Sequence, residues 1–284
     1  MTQGPSKRQP RPRSAGTPER SDAPAARAPR SSDRTERRPD FPRTRRAGEE
    51  HARPARPPLH PQSTTLWSYP SRTFGDGRQG DDRFRGATPA WVIWDVVKRF
   101  VPEGGLVVDP FCGSGTTIDV CKGMGRRVAG FDVHPTREDI RNADARSIPL
   151  RNGVADLVFM DPPYADNLSY SEDPRCLGKL PAKDQRFDRA LDLCFGEAHR
   201  VLRNDGVIAV YICDVYQHPG GFYPIGFRAF ELLRKRFLPI DIAAVVRQNA
   251  SLEKGNFHRA AVEQNFLLRG FNYLLLARKT ASHA

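Results

Sequence analysis

Two short strings in this chain hold residue types whose spacing could do chemistry: DPFCGSGTT from Asp109 to Thr117, and FMDPPY from Phe159 to Tyr164. Each belongs to an apolar run that predicts a buried parallel strand, Leu106 to Val108 before the first and Asp156 to Met160 leading into the second. The first string supplies a glycine turn where a strand feeds a helix, so a ligand can approach the backbone and meet the helix's N-terminal N–H groups. No Gly-Lys-Ser/Thr closes it, and Ile118 stands where a dinucleotide fingerprint would place its third glycine, so neither phosphate loop fits. The second string supplies a carboxylate, an aromatic ring and two prolines. Pro162 and Pro163 lack the N–H needed to continue a ladder, so they end the strand and hold the chain extended. In an open α/β sheet the C-terminal edge of the strands is where ligands bind. Taken singly, one string reads equally as an ordinary strand-to-helix turn and the other as a rigid loop. In this order, 52 residues apart from Asp109 to Asp161, they argue jointly for a site.

Together the strings resemble motifs I and IV of the S-adenosylmethionine-dependent amino-methyltransferases, which methylate the exocyclic amine of adenine or cytosine. The resemblance spans roughly residues 60 to 280. It implies S-adenosylmethionine as cofactor, with Asp109, Phe111, Gly113 and Gly115 in the wall that binds it. Asp132, 23 residues after Asp109, stands where an acid grips ribose hydroxyls in related sheets. Asp144 resembles the acid that meets the adenine amine. Asp161 and the Pro162 carbonyl would each accept one N–H of the target amine, turning its lone pair toward the methyl group and offsetting the charge that develops on nitrogen. Pro163 stiffens this segment, and the Tyr164 ring would stack on the base and fix its plane. The reaction so implied needs neither a metal nor a covalent intermediate, and a duplex substrate would flip its base into the pocket. TTLWSYPSRTFG, Thr64 to Gly75, also resembles the motif X lead-in of small DNA methylases.

The elements that must position these residues are legible as alternating strands and helices. Thr88-Pro89 predicts a helix start with Thr88 as N-cap, and Val92, Ile93, Val96, Val97 and Phe100 mark its apolar face. A helix follows the glycine turn over Thr116 to Met124, and strand two runs from Arg127 to Asp132. A short third strand lies near Asp139-Ile140. After DPPY, residues Phe187, Ala190, Leu191, Cys194, Ala198, Val201 and Leu202 share one helical face. Asn204-Asp205-Gly206 turns the chain into a strand from Val207 to Cys213. A helix spans Phe227 to Arg236, and two final strands, Ile240 to Arg247 and Phe271 to Ala277, have a loop between them. The pattern predicts a mainly parallel α/β sheet with one antiparallel closing pair. The resemblance implies the same: a class I, Rossmann-like methyltransferase sheet of seven strands, the last antiparallel.

Composition divides the chain. Residues 1–60 hold 15 Lys and Arg against 7 Asp and Glu, a net +8 of the chain's +12, together with 11 of its 25 prolines and one aliphatic residue, Leu59. Such a segment cannot bury enough apolar surface to offset chain entropy. Residues 1–58 are therefore expected to be a disordered Arg/Pro-rich tail, and 59–284 the methyltransferase domain. The tail reads either as a phosphate-binding arm or as a solubilising extension. Acidic residues from Glu19 to Asp40 interrupt any transit-peptide pattern, and no apolar stretch approaches the roughly 20 residues of a membrane span.

The five cysteines, with no paired spacing, suit free thiols in a reducing cytoplasm, and the histidines show no metal-ligand spacing. The partner implied is nucleic acid, DNA ahead of RNA, with no membrane and no metal. Adenine leads cytosine because DPPY is commoner with adenine in the resembled family. Two rivals stand beside this reading: guanine-N2 methylation of tRNA or rRNA, and a non-catalytic nucleic-acid-binding protein with a methyltransferase-like core. The 248–270 segment mixes Lys254, Phe257, His258, Arg259, Phe266 and Arg269, a blend of basic and aromatic side chains that suits a nucleic-acid strand or, equally, a self-packed lid.

Overall fold

The computed structural model describes residues 60–281 except 76, 82, 83, 85, 168–170, 218, 219, 249–251 and 253. The expected tail, residues 1–58, lies outside the described residues. In chain order the strands are β1 (Leu66–Trp67), β2 (Leu106–Asp109), β3 (Arg127–Asp132), β4 (Ile140–Asn142), β5 (Ala155–Met160), β6 (Leu202–Ile212), β7 (Val215–Gln217), β8 (Gly221–Tyr223), β9 (Leu238–Val246) and β10 (Phe271–Arg278). The helices are α1 (Ala90–Phe100), α2 (Thr116–Gly123), α3 (Gln185–Val201), α4 (Ile225–Leu233) and α5 (Gly255–Glu263).

One eight-stranded sheet forms in the order β1-β9-β10-β6-β5-β2-β3-β4. Strands β4, β3, β2, β5 and β6 are mutually parallel, and β10 runs antiparallel between β6 and β9. Apart from β1, this is the expected class I methyltransferase sheet with its antiparallel closing strand. From β2 the chain builds outward through β3 and β4 on one side, then crosses back from β4 to β5 on the other side of β2, so the C-terminal end of β2 is a topological switch point, where a crevice opens for ligands.

Side-chain alternation along the central strands builds two cores. Val107, Leu157, Phe159, Val207, Ala209 and Tyr211 pack on the α1 side, while Val108, Val158, Met160, Ile208, Val210 and Ile212 pack on the α3 and α4 side. Burial on both faces explains why these strands read as continuous apolar runs.

Several expectations are corrected. The sheet has eight strands, because Leu66–Trp67 adds in parallel along the free edge of β9; buried Trp67 anchors the addition, its indole N–H donating to the Thr64 carbonyl at 2.8 Å. The segment between β9 and β10 contains α5 rather than loop alone; only Ala261 of that helix is buried, so its apolar face is too sparse to read as a periodic stripe. Thr88 does not cap α1: Pro89 occupies the N-cap position and no side chain caps the helix. Strand β6 starts at Leu202, before the Asn204-Asp205-Gly206 turn, and its pairing with β5 shifts register between Ala155 and Leu157. A second, two-stranded sheet, β7 with β8, follows the end of β6. All five cysteines are free and buried.

Candidate active site

The parallel pairing of β2 with β5 brings the two sequence strings side by side at the C-terminal edge of the sheet. They share one cavity, whose wall includes Asp109, Phe111, Gly113, Asp132, Asp144, Asp161 and Pro163. Gly115, Pro162 and Tyr164, also singled out from sequence, do not line it.

Asp109 shapes the turn. Its Oδ1 accepts from the Phe111 amide at 2.9 Å and its Oδ2 from the Thr117 hydroxyl at 2.5 Å, tying the end of β2 to the start of α2. Burial pushes its carboxyl up to about 7, against the pull of those two donors. Gly113 has a φ of +48°, a left-handed conformation that glycine adopts without cost, and its amide donates to Asp132 Oδ2 at 2.9 Å. The other oxygen of Asp132 accepts from the His134 amide at 2.9 Å, so the end of β3 is clamped to the glycine turn. Each of these oxygens keeps a lone pair for a further donor. Burial pushes Asp132 up.

Gly115 lies outside the lining of this cavity. It occupies the N-cap position of α2 at φ +82°, and a Cβ there would lie 2.5 Å from Nη1 of Arg137, whose guanidinium is paired with Asp119. Asp144 stands on the cavity wall with its carboxylate engaged by Arg146, at 2.9 Å from Nε to Oδ1 and 2.6 Å from Nη2 to Oδ2. Burial alone would raise this carboxyl, but the hydrogen bonds and charge of Arg146 hold it below the usual range.

Asp161 lies where β5 ends. Its Oδ2 accepts from the Thr88 hydroxyl at 2.5 Å and its Oδ1 from the Tyr164 hydroxyl at 3.0 Å. The Tyr164 oxygen in turn accepts from Asn272 Nδ2 at 2.7 Å. Burial pushes Asp161 up to about 7 and nearby Asp109 adds to the rise, whereas the two hydroxyl donors oppose it. Pro162 is buried. The chain leaves this turn through Ala165 at φ +51°, a left-handed conformation that costs a side-chain-bearing residue roughly 1–2 kcal/mol. Complete burial of the Ala165 methyl holds it there.

Tyr164 faces a second cavity with Tyr69, Arg72, Tyr211, Arg247, Gln248 and Asn272, adjoining the first along Gly86 and Ala87. The stretch Thr64 to Gly75 thus contributes Tyr69, Ser71 and Arg72 to the second cavity, and the first is lined instead by Phe84, Gly86, Ala87 and Thr88. Sequence reasoning missed Thr88, Phe84, Arg175 and Asn272. Thr88 carried a signal, a threonine before proline at a helix start, but the structure spends its hydroxyl on Asp161.

The first cavity combines four carboxylates with Phe84, Ile93, Ala145 and Leu177. That set suits a ligand with a positive centre, hydroxyl and amine donors, and an apolar ring. S-adenosylmethionine offers a sulfonium and an ammonium, ribose hydroxyls and adenine, so the residues present fit it. No group of three or more metal-ligating side chains occurs among the described residues, and no helix there is long and apolar enough to cross a membrane.

The strand order and the crevice at β2 define a class I methyltransferase fold. Comparison with known proteins narrows this. Residues 29–142 match the profile of the DNA methylase family for N6 and N4 amines. The type II methyltransferase M.ScaI of Streptomyces caespitosus is 33% identical over 97 residues, 32% of this chain and 32% of the relative. The match thus spans about a third of that relative's length. Among solved structures, TrmN from Thermus thermophilus superposes with a TM-score of 0.45 and 16% identity, covering 69% of this chain and 50% of the other. A SAM-dependent methyltransferase from Methanosarcina mazei gives 0.43 and 13%, covering 65% and 97%. Residues 29–142 are thus similar to the DNA methylase family for N6 and N4 amines.

Proposed function

We propose that the protein transfers the methyl group of S-adenosylmethionine to an exocyclic amine of a nucleobase in DNA, adenine ahead of cytosine. The observation that carries this reading is Asp161: a carboxylate at a strand end, fixed at both oxygens by Thr88 and Tyr164, on the wall of a cavity rich in acids. Bound there, the cofactor would supply an electrophilic methyl on a positive sulfur. Asp132 and Asp144 would face its ribose and adenine, and the Gly113 turn would pass close to its methionine end.

An aryl amine is a poor nucleophile because its lone pair is delocalised into the ring. Asp161 and the Pro162 carbonyl accept its two N–H groups and turn the lone pair out of the ring plane. The carboxylate then stabilises the positive charge that grows on nitrogen, and preorganised acceptors of this kind commonly contribute about 100- to 1,000-fold in turnover. The second cavity, with Tyr69, Tyr164 and Tyr211 around it, offers a flipped base aromatic surroundings.

The test is methyl transfer from tritiated S-adenosylmethionine to DNA, tRNA and rRNA in parallel, with the modified nucleoside identified by mass spectrometry. N6-methyladenine or N4-methylcytosine in DNA is expected. Label found only in RNA as N2-methylguanine would overturn the assignment.

A further inference from the structure

Asn272 lies on β10, in the interior of the sheet, opposite Val245 of β9. It is 4% exposed. A buried amide in a strand whose neighbours are apolar requires a reason, and its hydrogen bonds supply one. Nδ2 donates to the Tyr164 hydroxyl across 108 residues of sequence, while Oδ1 is buried with no hydrogen-bond partner among the described residues. An amide kept only for stability would not leave its acceptor unmade, because an unsatisfied buried polar atom is a net cost.

The direction of the chain follows from proton inventory. An ionised Asp161 accepts only, so the single proton of the Tyr164 hydroxyl points to Asp161 Oδ1. The Tyr164 lone pair is then free to accept, and Asn272 Nδ2 fills it. A tyrosine hydroxyl with an acceptor on one side alone could rotate its proton about the C–O bond, away from the carboxylate. With a donor fixed in the sheet on the other side, its place is set. Thr88 holds the other carboxylate oxygen from the start of α1.

We propose that Asn272 is a positioning residue for Asp161, acting through the Tyr164 hydroxyl, so that the closing strand of the sheet fixes the carboxylate that receives the target amine. The inference rests on the reading of Asp161 given above. It assigns Tyr164 a second duty beside the one its ring performs.

The test is steady-state methyl transfer by the full-length protein, with tritiated S-adenosylmethionine and plasmid DNA from a methylation-deficient host. Asn272→Leu and Tyr164→Phe remove the link from its two ends while the tyrosine variant keeps its ring. Each is expected to lower kcat about 10- to 100-fold, as loss of catalytic geometry does, with KM for S-adenosylmethionine nearly unchanged. The double variant is expected to lose no more than Tyr164→Phe alone, because the two changes break one connection. Losses that multiply, or a wild-type kcat for Asn272→Leu, would overturn the inference. Should the leucine variant fail to fold by circular dichroism, Asn272→Ser, too short to reach Tyr164, takes its place with the same expectation. Asp161→Asn separates the two readings. If it retains wild-type kcat, or if the unaltered protein transfers no methyl, the functional reading fails and this inference falls with it. An inactive Asp161→Asn beside multiplying losses overturns the inference alone.

Discussion

Thr88 and Asp161 are 73 residues apart in sequence and joined hydroxyl to carboxylate at 2.5 Å, across the start of α1 and the end of β5. The bond stabilises the ionised carboxylate and opposes the rise that burial imposes. A hydrogen bond to a charged group contributes about 1.5–3 kcal/mol. Its loss in the near-isosteric Thr88→Val is therefore expected to raise the Asp161 pKa by about one unit or more. The pH–rate profile should move to the alkaline side by that amount, with about a fivefold or greater fall in rate at neutral pH. Rates measured between pH 6 and 9 check this; an unshifted profile would show that Thr88 does not govern the ionisation.

The raised carboxyls also make stability depend on pH with a definite sign. Asp109 and Asp161 rise from an ordinary 3.8 to about 7 in the folded protein. Between these values the native state holds protons that the unfolded chain releases. Their contribution is thus fully present below about pH 4 and lost as pH climbs through 7. Exposed Asp139 and half-buried Asp173, lowered to about 2 by their arginine and lysine partners, act in the opposite sense at lower pH. Comparison with Asp161→Asn isolates the buried term. The urea midpoint of the unaltered protein should fall more steeply from pH 5 to 8 than that of the variant; parallel curves would contradict the burial of this charge.

Contiguity decided what could be read in advance. Asp109 and Asp161 each sit inside a short string whose neighbours betray a strand end, so their meeting at one sheet edge follows once the strands are taken as adjacent and parallel. The alternating sheet was legible for the same reason, since buried parallel strands are continuous apolar runs. Thr88 and Asn272 were not legible as site residues, because each reaches the site only through tertiary contact. Asn272 in particular sits in a strand where the local pattern, FNYLLLAR, indicates packing alone. Gly115 is ambiguous for a related reason: a glycine in a ligand-binding turn looks the same in sequence whether it clears space for ligand or for Arg137. Helix α5 escaped because one buried residue cannot create a period.

The basic tail gives a prediction from charge alone. Residues 1–60 carry a net +8, and a segment that neutralises DNA phosphates steepens the salt dependence of binding by about 0.9 in log–log slope per contact. Deleting residues 1–58 is expected to weaken DNA binding and flatten this slope by several such increments while leaving the methylated product unchanged. Fluorescence anisotropy with a labelled duplex from 50 to 300 mM salt, values that bracket the physiological range, measures the slope. Equal slopes for the full and shortened chains would assign the tail no phosphate contacts.

Gly113 and Gly115 stand two residues apart in one turn, and the structure assigns their substitution different consequences. Both have positive φ, +48° and +82°, so any side chain there is strained by roughly 1–2 kcal/mol. The space around them differs. A Cβ at Gly113 would stand 3.0 Å from the Phe84 ring, on the wall of the cavity that fits the cofactor. A Cβ at Gly115 would stand 2.5 Å from the Arg137 guanidinium, away from that cavity, and would displace the arginine from Asp119 and Asp139. Gly113→Val is therefore expected to abolish S-adenosylmethionine binding in calorimetry at a modest loss of stability. Gly115→Ala is expected to destabilise the fold by about 1–2 kcal/mol or more while keeping cofactor affinity within about threefold, the change that 0.6 kcal/mol would produce. Thermal midpoints and cofactor titrations on the two variants give four values. If Gly115→Ala loses the cofactor while Gly113→Val keeps it, the turn has been assigned backwards and the cofactor passes on the Arg137 side.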